Sequence, residues 1–430
     1  EPYRERGKAV TVRYTGLTWD HPRGYNALAA AAARLDPVRD GLRIDWETQP
    51  LEGFESHPIA DLASRYDLVV IDHPHLGEAT SADCFIPMED LFSAAEIAAW
   101  GAATIGPGLS CYFYAGRHWA LPLDAATQVL ACVPDLLGPD HPDGTPPADW
   151  ASVIALSKRH PVALSLAGPH AVLSFMSLCV ALGEPPADRD PDVLVSRDTG
   201  CGALEIMREL SASTPEWSRA LNPIGLLEAM AGGEALALVP LIYGYVNYAA
   251  PRRTTGGAGR RAVRFADAPT AGGFGIHGST FGSTGLAVSR RATVTPALLD
   301  HIRWLMAEQT QRRFIPDHEG QPSNRAAWHD ADVNATWGNF YLGTAATLES
   351  AWVRPRHDGY IGFQSGASAL LRDSLTGGLR AGTVLSQLQD LYSASRRTAS
   401  PGEVQAGGCR GGTDTPHTDT SRRGCERIEG

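Results

Sequence analysis

Three short stretches hold the side chains most able to do chemistry. Asp72-His-Pro-His75 sets His73 and His75 two residues apart beside a carboxylate, which could be half of a metal site. Asp20 and Asp124 could supply the two carboxylates of glycoside cleavage, since such a pair is made in space rather than in sequence. Tyr243-Gly-Tyr245 carries two phenols two residues apart, which an extended backbone would aim at one side; with histidine and hard oxygen ligands they could hold ferric iron. None of the three has its complement at a recognisable spacing. The chain also lacks H-E-x-x-H, G-x-S-x-G and G-x-x-x-x-G-K-[ST].

The same residue types suit a second task, gripping a hydroxyl-rich guest without reacting with it. Carboxylates and amides exchange paired hydrogen bonds with neighbouring hydroxyls, and flat rings cover the C–H face of a sugar. Trp19, Asp20, His21, Asp72, His73, His75, Asp124, His170, Tyr243, Tyr245 and Asn247 are the candidates. Each has a plainer alternative: Trp19 as a core ring, Asp20 as a turn or cap residue, and Asp72 to His75 as a solvated turn. Arg325 and Arg356 are more ordinarily surface guanidiniums than cleft cations.

The elements that must position these side chains are legible as strands alternating with helices. Val10–Tyr14, Leu42–Trp46 and Asp67–Ile71 read as strands, the last with the unbroken apolar run of a buried parallel sheet. Thr15–Gly24 reads as a loop and Tyr25–Leu35 as a helix. Later strands are expected at Val162–Leu166, Ala235–Leu241 and Gly285–Ser289. Helices are expected at Ala151–Arg159, Asn222–Gly232, Pro296–Phe314, Ala335–Ala351 and Ser368–Ser393. The result is an α/β fold with a parallel sheet, whose ligand crevice lies beyond the carboxyl ends of the strands. That rule selects the candidate residues by position alone.

Composition bounds the partners. At 430 residues the chain exceeds what one hydrophobic core usually serves, so two lobes are expected. The net charge of −11 opposes nucleic acid or an anionic membrane surface as partner. No apolar run approaches a membrane span. The seven cysteines include no C-x-x-C pair, and Cys409 and Cys425 fall in a polar segment, 398–430, that reads as a disordered tail. The polar start fits either a removed export leader or a chain made without one.

Segments in collinear order carry a family likeness. Asp67–Leu91, Gly116–Leu137, Pro146–Ser157, Asn222–Ala237 and Gly285–Ala327 together resemble the extracellular solute-binding proteins of carbohydrate ABC importers, the branch related to maltose-binding protein. Cys132-Val133 and Asp149-Trp150 depart from that family's usual residues, and no lipobox cysteine is visible. The resemblance implies a two-lobed periplasmic-binding-protein-like fold of type II, with discontinuous lobes: 10–122 plus 277–316, and 123–276 plus 317–397. Crossovers are then expected near Leu121–Asp124, Gly272–Gly282 and Asp317–Ser323. It further implies a monomer that binds a mono- or oligosaccharide, delivers it to an importer permease, needs no cofactor and catalyses nothing. Its place would be periplasmic or extracellular, with a leader anchor or a cytoplasmic sensor as the alternatives. A glycoside- or metal-dependent hydrolase and a ferric-ion binder are the competing functions.

Overall fold

The computed structural model describes residues 11–254 and 257–398. The expected tail, with Cys409 and Cys425, lies outside the described residues.

The chain forms two sheets wrapped by helices. The first has five strands in the order β2 (Leu42–Gln49), β1 (Val12–Trp19), β3 (Leu68–Asp72), β10 (Thr284–Val288), β6 (Leu121–Asp124). A small hairpin pairs β4 (Phe113–Tyr114) with β5 (Arg117–His118). The second sheet runs β8 (Leu238–Tyr243), β7 (Gln128–Cys132), β9 (Arg264–Ala266).

Only part of the first sheet is parallel. β1 runs parallel to β2 and to β3, as strands joined through helices must. β10 lies antiparallel to both β3 and β6, and the second sheet is antiparallel throughout. The difference has a topological cause: β10 returns from the other sheet through extended chain, with no crossover helix to turn it round.

Two local expectations change. Thr15–Trp19 continues β1 instead of forming a loop. Gly16 reads as a turn former, but it is there for space: a Cβ would stand 2.5 Å from the Trp46 indole. Val162–Leu166 makes a single bridge to Leu238, not a strand. Two expected helices also break: Pro296–Phe314 ends at Met306, before a separate turn Thr310–Phe314, and Ala335–Ala351 is interrupted between Thr336 and Phe340, at a left-handed Asn339. Asn222 caps the helix Pro223–Gly232, which ends at a left-handed Gly233, and Thr295 caps Pro296–Met306. The last stretch divides into Tyr360–Thr376 and Ala381–Thr398.

The helix His170–Ala181 is buried along its whole length, because its sequence is apolar or small on every face. It anchors a core with Tyr360, Phe363 and Tyr392. A separate core beneath the first sheet gathers Tyr14, Trp19, Leu68, Val70 and Leu286.

Three segments pass between the sheets side by side. Ala125 N–H donates to the Gln321 carbonyl at 2.9 Å, and Gly282 N–H donates to the Ala126 carbonyl at 2.9 Å. The Gln321 side-chain amide donates to the Ala125 carbonyl at 3.0 Å. Leu121–Asp124 itself lies within the first sheet, so the chain leaves that sheet just after Asp124.

Candidate functional site

The carboxyl ends of β1, β3 and β8 meet around one small cavity, with the end of β6 just behind it. β1 delivers Trp19, β3 delivers Asp72, and β8 delivers Tyr243, followed by Tyr245; all four line the space. The helix Leu51–Ser56 follows β2 directly and lays Leu51, Phe54 and Glu55 over it. Trp19 and Phe54 meet with ring centroids 5.3 Å apart. Gly24 holds the other side of that indole, where a Cβ would come within 2.4 Å of its atoms. About 50 Å³ remains open to water-sized molecules.

Two buried arginines set the electrostatics. Arg354 pairs with Asp72 and donates to the Gln364 side-chain oxygen at 3.0 Å. Burial pushes the Asp72 carboxyl upward, but the adjacent Arg354 charge overrides it and holds the group well below the usual carboxylate range. Arg23 embraces Asp124 with two arms, Nε to Oδ1 at 2.8 Å, and donates from Nη1 to the Gly244 carbonyl at 3.1 Å. Burial alone would loosen the Arg23 proton; the Asp124 carboxylate outweighs it and keeps the guanidinium charged. Its carbon lies 4.6 Å from the Tyr245 ring centroid, a cation–π geometry.

Five lining residues carry buried polar atoms with no partner among the described residues: Trp19 Nε1, His75 Nδ1, Tyr243 Oη, Thr284 Oγ1 and Arg354 Nε. Buried polar groups are nearly always satisfied. A cluster of five around one cavity is therefore a strong sign that something else completes them.

Of the eleven candidate residues, Trp19, Asp72, His75, Tyr243 and Tyr245 line the cavity. Asp124 stands one layer behind, bound to Arg23. His21 caps the helix Pro22–Ala33 and sets its ring 4.6 Å from that of Tyr245. His170 packs on Tyr243 and lies 3.3 Å from Glu55. Asn247 donates to Glu319 at 2.7 Å. Two candidates fall away from the space. Asp20 is exposed because β1 ends at Trp19 and the chain bends there, outside the sheet whose two covered faces bury Leu17 to Trp19. His73 is turned into the core by the short helical turn His73–His75 and packs on Phe281.

Arg23, Arg354, Glu55, Phe54 and Gln364 are the lining residues that the sequence did not single out. Arg23 lies within the loop-like stretch after the first strand, which is the one signal that pointed near it. Arg356, weighed as a cleft cation, instead donates to the carbonyls of Cys111 and Phe113, at 2.9 and 3.0 Å. Arg325 pairs with Glu349 at the surface.

No protein-family profile matches the chain, and no curated protein matches it in sequence. Solved structures do. A ribitol-complexed ABC transporter solute-binding protein from Agrobacterium radiobacter superposes with a TM-score of 0.69 at 20% identity, covering 90% of this chain and 99% of that one. The GacH receptor of Streptomyces glaucescens, solved unliganded and with acarbose, gives 0.73 at 14% identity, over 91% of this chain and 100% of its own. Maltose-bound T. maritima MalE3 gives 0.71 at 14%, over 89% and 100%. The chain has the two-lobed fold of these binding proteins.

Within that fold, the groups considered for catalysis are not assembled. Asp20 faces solvent while Asp124 is engaged by Arg23, so they make no carboxylate pair. Among the described residues no three or more His, Cys, Asp or Glu side chains are grouped to hold a metal ion. Burial pushes the phenols of Tyr243 and Tyr245 well up, which keeps both protonated. Among the described residues no helix is long and apolar enough to cross a membrane.

Proposed function

We propose that this chain is the substrate-binding subunit of an ABC importer, closing on a sugar or related polyol between its lobes. The five partnerless polar atoms around the cavity carry this reading. Hydroxyl oxygens can accept from Trp19 Nε1 and Arg354 Nε, which only donate, while hydroxyl protons can go to Glu55 and Asp72. Phe54 and Tyr245 offer ring surface to the C–H groups of such a guest, with Trp19 packed behind Phe54. The structures of like fold solved with ribitol, maltose and acarbose support the same class.

On this reading the lobes are residues 10–122 plus 277–316 and residues 123–276 plus 317–397. They rotate about the three hydrogen-bonded segments near Ala125, Gly282 and Gln321, so that closure expels water and strengthens each polar contact. The subunit works as a monomer outside the cytoplasmic membrane, hands its guest to a permease and does no chemistry, since Asp72 and Asp124 are already tied to arginines.

Thermal denaturation with a panel of sugars and polyols tests this. A ligand at a hundred times its Kd adds about 2.7 kcal/mol of stability, so one or more members should raise Tm by several degrees. A flat response across the panel would remove the proposal. Release of product from any glycoside would overturn its non-catalytic part.

A further inference from the structure

The cavity's ends and its charge balance say more about the guest than its general class. We infer that it is a single sugar ring or an open-chain polyol of that size, electrically neutral, and neither an oligosaccharide nor a sugar acid or phosphate. This rests on the binding reading above and narrows it.

Size follows from how the space is shut. At one end the helix Leu51–Ser56 bridges the cleft: Asn222 donates to Glu52 at 2.8 Å, and Glu55 meets His170 at 3.3 Å. At the other end Glu319 accepts from Asn26 at 3.2 Å and from Asn247 at 2.7 Å, and Arg23 reaches across to the Gly244 carbonyl. About 50 Å³ of this partly open space admits water-sized molecules. Cavities for drug-sized ligands run to about 300–1,000 Å³. A small separation of the lobes admits one ring. A chain of sugars would have to extend through one of the two ends, breaking the bridges that close it.

Charge follows from pairing. Both arginines at the cavity already face a carboxylate, Arg23 with Asp124 and Arg354 with Asp72. Glu55 adds a further carboxylate whose nearest basic group is a histidine. An anionic guest would be buried beside three carboxylates, with both guanidiniums already paired and only the His75 imidazole, 4.0 Å from Glu78, left to meet it, at a heavy desolvation penalty. A neutral polyol uses the orphan donors without that penalty.

Titration calorimetry on the full chain tests both parts. The probes are pentitols, hexitols and hexoses, set against maltotriose, gluconate and glucose 6-phosphate. A member of the neutral, single-unit group should bind at least tenfold more tightly than each of the other three. Maltotriose binding as well or better overturns the size argument and leaves carbohydrate binding standing. Gluconate or the phosphate binding better overturns the charge argument in the same way. Silence from every probe removes the binding reading itself. In Phe54→Ala, which opens the helix-covered end, the preference over maltotriose should shrink severalfold. An unchanged ratio in that variant overturns the assignment of this end as the size limit.

Discussion

Arg354 and Asp72, 282 residues apart in sequence, form an ion pair at the cavity wall, and the arginine's remaining arm is held by Gln364. The pair joins the end of a first-sheet strand to the segment leading into the helix Tyr360–Thr376 of the other core. It is both a brace between the two halves and part of the candidate binding surface.

Removing one partner of a buried pair leaves the other charge without compensation. Arg354→Met is therefore expected to lower unfolding free energy by about 3–5 kcal/mol, read as a drop in the urea midpoint. Asp124→Ala should do the same by stranding Arg23. A change below about 1 kcal/mol in both variants would show that the pairs are solvated in solution.

Tyr243→Phe removes a buried hydroxyl that has no partner, so the free protein should be as stable as before or slightly more so. Binding of the guest should weaken by about tenfold, the value of one good hydrogen bond. Equal affinity measured by calorimetry would take Tyr243 out of the binding surface.

Gly24→Ala sets two effects against each other. Alanine favours an exposed helix by about 1 kcal/mol over glycine, but here its methyl would stand 2.4 Å from the Trp19 indole. The clash should win, giving lower stability, a shifted tryptophan emission and weaker binding. A variant that is stabilised, with unchanged emission, would contradict the placement of Trp19.

Acid should destabilise the protein in two stages. Burial lowers His21 from 6.5 to about 3, and His73 and His301 from 6.5 to about 4. As pH falls below 6.5 the unfolded chain takes up protons that the folded one refuses, so stability declines from about pH 6.5 to 4. Asp72, held by Arg354 below the ordinary 3.8, adds a further loss below about pH 4. Urea midpoints between pH 7.5 and 3.5 check this, and His301→Leu should flatten the upper stage. A level midpoint from pH 7 to 4.5 would refute it.

Much of this was legible in sequence where a signal is local. The apolar run Leu68–Ile71, the cap at Asn222 and the glycine stop after it each act through near neighbours, and the structure keeps all three. The rule that ligand residues lie past strand ends found Trp19, Asp72 and Tyr243 for the same reason. Arg23 and Arg354 were not legible, because an arginine ordinarily faces water and its carboxylate lay a hundred residues or more away. Asp20 was misplaced by reading β1 as ending early: the strand runs on to Trp19, and Asp20 falls at the bend just past it, outside the sheet. The antiparallel β10 was hidden too, since strand direction depends on where the chain returns from.

β10 occupies the interior of the first sheet, between β3 and β6, yet it is contributed by residues 284–288. During synthesis the sheet therefore has a missing middle until more than half the protein has been made. Its earlier strands must wait, unpaired along one edge, for a segment that has first visited the opposite half. Such late, non-local completion should make folding slow, and it leaves a long interval in which a chaperone could hold the nascent chain open.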